Sequence, residues 1–189
     1  MQPVNKLLSF FVTAIIILGV ISLFLPTEVH VERSMVINAP AWLTYEQVNN
    51  LKNWEKWSPW KQADPEIRLD YQGPAAGNGA QYSWKSRRRV LGTGKLTIAD
   101  TEPNKRIVTE MYFVHKGRGI ATHTFEETPE GTLVTWAVDS KLGHNPVKKY
   151  AGLFWGSLIG PDFERGLSNL KIVAEESEKS RRSQSYNQK

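Results

Sequence analysis

Hydrophobic and polar residues alternate one for one in EVHVERSMVIN, residues 28–38, with Val29, Val31, Met35 and Ile37 on one side and Glu28, His30, Glu32 and Ser34 on the other. A two-residue period predicts a strand with one face buried. Arg33 falls in the apolar register, so either a bulge turns it outward or it points inward and needs a partner there. The period then changes: in APAWLTYEQVNNL, Pro40 suits a first helical turn, and Trp42, Tyr45, Val48 and Leu51 form one stripe of a helix of about three turns. Alternation returns in IRLDY and, after the glycine-rich turn GPAAGNGA, in AQYSWKS, where Ala80, Tyr82 and Trp84 share a face. That pattern is a hairpin. It continues through GKLTIADTEPNK with Leu96 and Ile98, RIVTEMYFV with Ile107, Met111 and Phe113, GIATHTFEETPEG, and TLVTWAVDS with Val134, Trp136 and Val138. The total is seven strands, joined mostly by short turns and therefore mostly antiparallel.

One apolar sheet face needs a cover, and the carboxy-terminal region supplies it. Prolines at first-turn positions predict two helical pieces, one opening at Pro146 and one at Pro161. In the second, Phe163, Leu167, Leu170 and Ala174 form an apolar stripe opposite Arg165, Lys171, Glu175 and Glu176. At the other end of the chain, residues 7–25 form an uncharged run of 19, long enough as a helix to cross a bilayer. The run ends in Phe24 and Leu25 and continues into Pro26 and Thr27 without a small-x-small cleavage pattern, which favours an uncleaved anchor. Lys6 lies before the span, and Glu28, Glu32 and Arg33 lie after it. The positive-inside bias then puts the amino terminus in the cytoplasm and the folded part outside. The expected organisation is a transmembrane helix over 7–25, a linker over 26–28, one folded domain over 29–177, and a disordered basic tail over 178–189.

Composition narrows the chemistry. With 189 residues, 40% hydrophobic and 23% charged, the chain fits one globular domain with an appendage. Its four histidines are scattered and cysteine is absent, so neither a zinc site nor thiol redox chemistry has parts to be built from. No cofactor is expected. The net charge of +5 gathers in KSRRR at 85–89 and KSRR at 179–182, neither within a nucleic-acid module, and the reading is a solvated turn and tail with no nucleic-acid partner. No GxSxG elbow, Walker loop or recognisable carboxylate pair is present, which leaves hydrolases and phosphoryl-transfer enzymes without their residues.

The stretches ERSMVINAP, NWEKWSPW, GNGAQYSWKS, GTGKLTIADTEPNKRI, EGTLVTW and GPDFERGLSNLK run from about residue 32 to 171. In order and spacing they resemble the START-like (SRPBCC) superfamily, most closely its polyketide cyclase/dehydrase branch. The resemblance implies an α+β helix-grip fold, a curved antiparallel sheet wrapped around a long carboxy-terminal helix, with a hydrophobic cavity between them. Its implied ligand is an apolar small molecule or lipid. The expected lining is Trp54, Trp60, Tyr82, Trp84, Thr109, Met111, Phe113, His123 and Trp136, with Phe163 and Leu167 from the helix.

Fold does not fix function. The leading expectation is a membrane-tethered binding module with no chemistry of its own. The rival is a cyclase or dehydratase in which His123, neutral in an apolar register, takes a proton from an enolisable ligand, or Arg33 pairs with an acidic head. The bland alternatives are a core histidine bonded to a neighbour, and an arginine paired with Glu110 or a carbonyl. A third reading is protein interaction, as in relatives that regulate chaperones. Trp54, Trp57 and Trp60 are spaced three apart, so the first two share a side of a helical turn while Trp60, after Pro59, has left it. Trp57 is expected as a buried core plug, with Trp54 or Trp60 at the cavity mouth.

Overall fold

The computed structural model describes residues 3–114 and 117–187. The seven expected strands form one sheet: β1 (Glu28–Ile37), β2 (Arg68–Gln72), β3 (Gln81–Lys85), β4 (Thr93–Glu102), β5 (Arg106–Phe113), β6 (Gly117–Thr128) and β7 (Gly131–Lys141). Their order is β1-β7-β6-β5-β4-β3-β2, antiparallel throughout. The helices are α1 (Pro3–Phe24), α2 (Ala41–Asn49), the short turns α3 (Trp54–Trp57) and α4 (Pro59–Ala63), α5 (Pro146–Gly152) and α6 (Trp155–Asn187). Within α1, Lys6–Phe24 is long and apolar enough to cross a membrane, with a mean hydropathy of 2.7 and 6% of it buried.

The expected stripe of Phe163, Leu167, Leu170 and Ala174 on α6 is buried against the sheet. Beside it, polar side chains of the same helix serve β1, an edge strand with β7 on only one side. Lys171 Nζ donates to the Val36 carbonyl at 3.1 Å, and the Asn38 amide donates to Glu175 Oε1 at 2.9 Å. An edge strand otherwise offers such groups to another chain. Close approach of α6 depends on Gly166, where an added Cβ would lie 2.7 Å from the Trp136 ring and 3.1 Å from Pro59.

Four local expectations change. There is no bulge at Arg33: β1 keeps register with β7 across Arg33↔Trp136. The side chain instead reaches the edge of α6, where Nε donates to Glu164 Oε1 at 2.6 Å and an Nη donates to the Glu32 carbonyl at 2.7 Å. Trp42 leaves the buried stripe of α2, because Leu43 and Thr44 fill the core side and Trp42 lies outside under the Arg181 guanidinium, 5.2 Å from its ring centre. Pro161 sits inside α6 and does not start it; Trp155 and Ile159 pack on the core and hold the preceding turn on the same axis. Finally, α6 continues to Asn187 across most of the tail expected to be disordered, residues 188–189 lying outside the described part. Glu178 holds Arg181 and Arg182 through bonds of 3.0 and 2.6 Å at helical spacing, and the two arginines keep its carboxyl below the usual range.

Candidate functional site

The site starts at the end of α2. A helix leaves its last four carbonyls without helical partners, and here each finds one. Glu46 accepts from the Asn50 amide, Gln47 from Trp57 Nε1 at 3.0 Å, Val48 from Trp54 Nε1 at 2.7 Å, and Asn49 from the Gly77 amide. The spacing of three along α3 aims both indoles back at that last turn. Trp54 and Trp57 are thereby fixed side by side, ring centres 4.7 Å apart, and both are buried.

Beyond Trp54 the sheet is not filled by α6. A pocket opens between α3, α4 and strands β2 to β5, lined by Trp54, Trp60, Ile67, Leu69, Tyr82, Trp84, Leu91, Leu96, Met111 and Phe113, with Glu55, Ser58 and Lys61 also contributing. This slot opens to solvent and its free interior is small, about 50 Å³. Gly94 shapes one wall: it faces Trp84 across the β3–β4 pair, and a Cβ there would collide with the Trp84 ring and the Tyr112 carbonyl. Trp84 lies flat over that gap, its Nε1 donating to the Leu91 carbonyl at 3.1 Å and its ring edge-on to Phe113 at 5.1 Å.

Few titratable groups reach this slot. Glu55 accepts from the Tyr71 hydroxyl at 2.8 Å, and Lys61 donates to the Pro65 carbonyl at 3.1 Å. Burial, then the Glu55 contact, raises the Tyr71 hydroxyl well above its ordinary pKa, and burial alone does the same to Tyr82. Tyr82 stays neutral. Among the described residues no cluster of His, Cys, Asp or Glu could hold a metal ion.

Of the expected lining, the pocket brings together Trp54, Trp60, Tyr82, Trp84, Met111 and Phe113. Thr109, His123, Trp136, Phe163 and Leu167 are buried in the adjoining core and do not line it. Trp136 stacks on Phe163 at 4.4 Å and on His123 at 4.9 Å, so the half of the sheet under α6 is filled by aromatic rings. His123 is fully buried, neither ring nitrogen has a hydrogen-bond partner among the described residues, and burial lowers its pKa to about 3. Thr109 donates to the Ala121 carbonyl at 3.4 Å, and Arg33 is engaged at the α6 edge as described above. The lining not expected from the sequence is Ile67, Leu69, Leu91 and Leu96, with Glu55, Ser58 and Lys61 beside the two tryptophans of α3 and α4. Leu69 and Leu96 were signalled by strand alternation; Leu91 lies in a loop where no period exists.

Residues 28–175 match the sequence profile of a family described as "Polyketide cyclase / dehydrase and lipid transport". No curated protein matches the chain. Among solved structures, a protein of unknown function, SA2116 from Staphylococcus aureus, is similar over 79% of this chain and 95% of its own, with a TM-score of 0.61 and 14% identity. The di-domain ARO/CYC StfQ from the steffimycin biosynthetic pathway is similar over 80% of this chain and 52% of its own, with a TM-score of 0.59 and 15% identity. A second di-domain ARO/CYC, BexL from the BE-7585A pathway, is similar over 79% and 50%, at 0.56 and 16%. At such identities the likeness is one of fold.

Proposed function

Because the chain belongs to the polyketide cyclase/dehydrase and lipid transport family, we propose that it is a membrane-tethered module binding an apolar small molecule or lipid in the slot between α3, α4 and β2 to β5. The observation that carries this reading is the slot itself: its walls are aromatic and aliphatic, and its polar groups are confined to Glu55, Ser58, Lys61 and Tyr82. Such a site orients little and excludes water well. A ligand larger than this small free volume needs half-buried lining residues such as Trp60 and Leu91 to move aside. Tethering is supported by α1, and the order of charges about Lys6 supports a domain on the extracytoplasmic side.

Catalysis of the cyclase or dehydratase type is the second reading, favoured by one observation, the two unpartnered nitrogens of His123. Against it, the Trp54 ring, 5.7 Å from His123, lines the slot while His123 does not. A proton could pass from a ligand to the imidazole only after that ring had turned. Native mass spectrometry of the gently extracted full chain is expected to reveal an apolar adduct, and a fluorescent fatty acid is expected to compete with it. A chain that is always empty and takes up no fatty acid refutes the binding reading.

A further inference from the structure

The segment from α5 into the first turn of α6 exposes large apolar side chains that no part of the domain covers: Val147 at 77%, Leu153 at 54%, Phe154 at 64% and Leu158 at 67%. Soluble surfaces seldom carry so many within twelve residues. The same segment is fastened to the end of α1. The Thr27 carbonyl accepts from the amides of Leu142 and Gly143, Lys149 Nζ donates to the Ser22 carbonyl at 2.9 Å, and the Tyr150 hydroxyl donates to the Leu18 carbonyl at 2.8 Å. Lys149 is buried by this contact, and a cation on the last carbonyls of a helix is favourable. Leu18 lies six residues before Phe24, about 9 Å down the helix axis at 1.5 Å per residue. If α1 spans a bilayer, Tyr150 reaches below the level at which the span ends.

We propose that α5 and the first turn of α6 form a foot lying in the plane of the bilayer, in the leaflet where α1 ends, with Val147, Leu153, Phe154 and Leu158 among the upper acyl carbons. The inference rests on the tethering reading given above. Its chemistry is that of an interfacial amphipathic segment. The apolar side chains extend the apolar surface of α1, Lys149 satisfies the Ser22 carbonyl, one of the last four of that helix, Tyr150 adds a second donor to the Leu18 carbonyl, and exposed Lys148 stands at headgroup level. The foot also orients the slot. Lys141, Gly117, Phe113, Thr93 and Lys85 follow one another across the sheet at the end where β1 leaves the anchor. Phe113 and Leu91, both on the slot's lining, are therefore at the membrane end of the sheet.

The absence of native cysteine makes the test direct. Single variants Phe154→Cys, Leu158→Cys, Ile16→Cys within the span, and Ile172→Cys on the exposed side of α6 are labelled with a polarity-sensitive fluorophore. The full chain is then reconstituted into phosphatidylcholine–phosphatidylglycerol vesicles. Labels at 154 and 158 are expected to shift to the blue and lose about half their emission with lipid brominated near the headgroup, while 172 stays water-like. Water-like emission at 154 and 158, with residue 16 quenched by lipid brominated deep in its acyl chains, overturns the foot and leaves the tether standing. No quenching at 16 by the deep-brominated lipid overturns both. A blue shift at 154 and 158 without bromine quenching means that protein covers the patch, and also overturns the proposal.

Discussion

Trp54 and Trp57 are more than bulk, because their indole nitrogens complete the last turn of α2. Replacing Trp54 with Phe keeps a ring on the slot wall but leaves the buried Val48 carbonyl unpaired, and an unmet buried acceptor costs about 1–3 kcal/mol. Urea unfolding should record a loss of that order for Trp54→Phe and under about 1 kcal/mol for Trp60→Phe, since the Trp60 ring is half-buried and only edge-on to Trp136 at 5.6 Å. Equal losses would show that packing, and not the hydrogen bond, holds Trp54. The burial of Trp57 is legible in the sequence from its spacing; the carbonyl acceptors are not, because they depend on where α2 ends, which a helical stripe fixes only to within a turn.

At the scale of elements, α6 departs most from a sequence-based reading. Proline at 161 looks like a start, yet the helix passes through it, and a tail that reads as a charge run is ordered by Glu178, Arg181 and Arg182 and by the Trp42 face under Arg181. Deleting residues 178–189 should leave the near-ultraviolet aromatic spectrum intact, reduce helical ellipticity, and lower stability by about 1 kcal/mol, the scale of one cation–π contact plus exposed pairs. A collapse of the aromatic spectrum would mean that the tail is part of the core. All seven strands were legible because each buries one face and so alternates. The slot was legible on its β3 and β5 walls and in Trp54 and Trp60. The rest of its lining comes from β2 and β4, whose alternation shows a buried face but not that it borders a pocket, and from a loop and two short turns that follow no period; nor can sequence order tell that Thr109, His123 and Trp136 lie in the packed core while Met111 borders the slot.

Over the whole molecule, the sheet divides into a half packed by α6 and a half left open beneath α3 and α4, and the division has an acid signature. His123 is neutral in the fold, with a pKa lowered to about 3 by burial against an ordinary 6.5. Below about pH 6.5 the unfolded chain takes up a proton that the folded one refuses, so stability falls as pH falls towards 3, by at most about 1.4 kcal/mol per pH unit. In His123→Leu that component should vanish, flattening the unfolding midpoint between pH 6 and 4 relative to the parent; parallel profiles would place a charged or solvated imidazole at this position. A mechanical consequence follows from where the chain enters and leaves the domain. β1 follows α1 and runs alongside α6 in the same sense, from Arg33 beside Gly160 and Glu164 to Asn38 beside Glu175. A pull between α1 and the far end of α6 therefore drags β1 lengthwise against both α6 and β7, shearing all ten of its rungs with β7 at once instead of peeling them one by one.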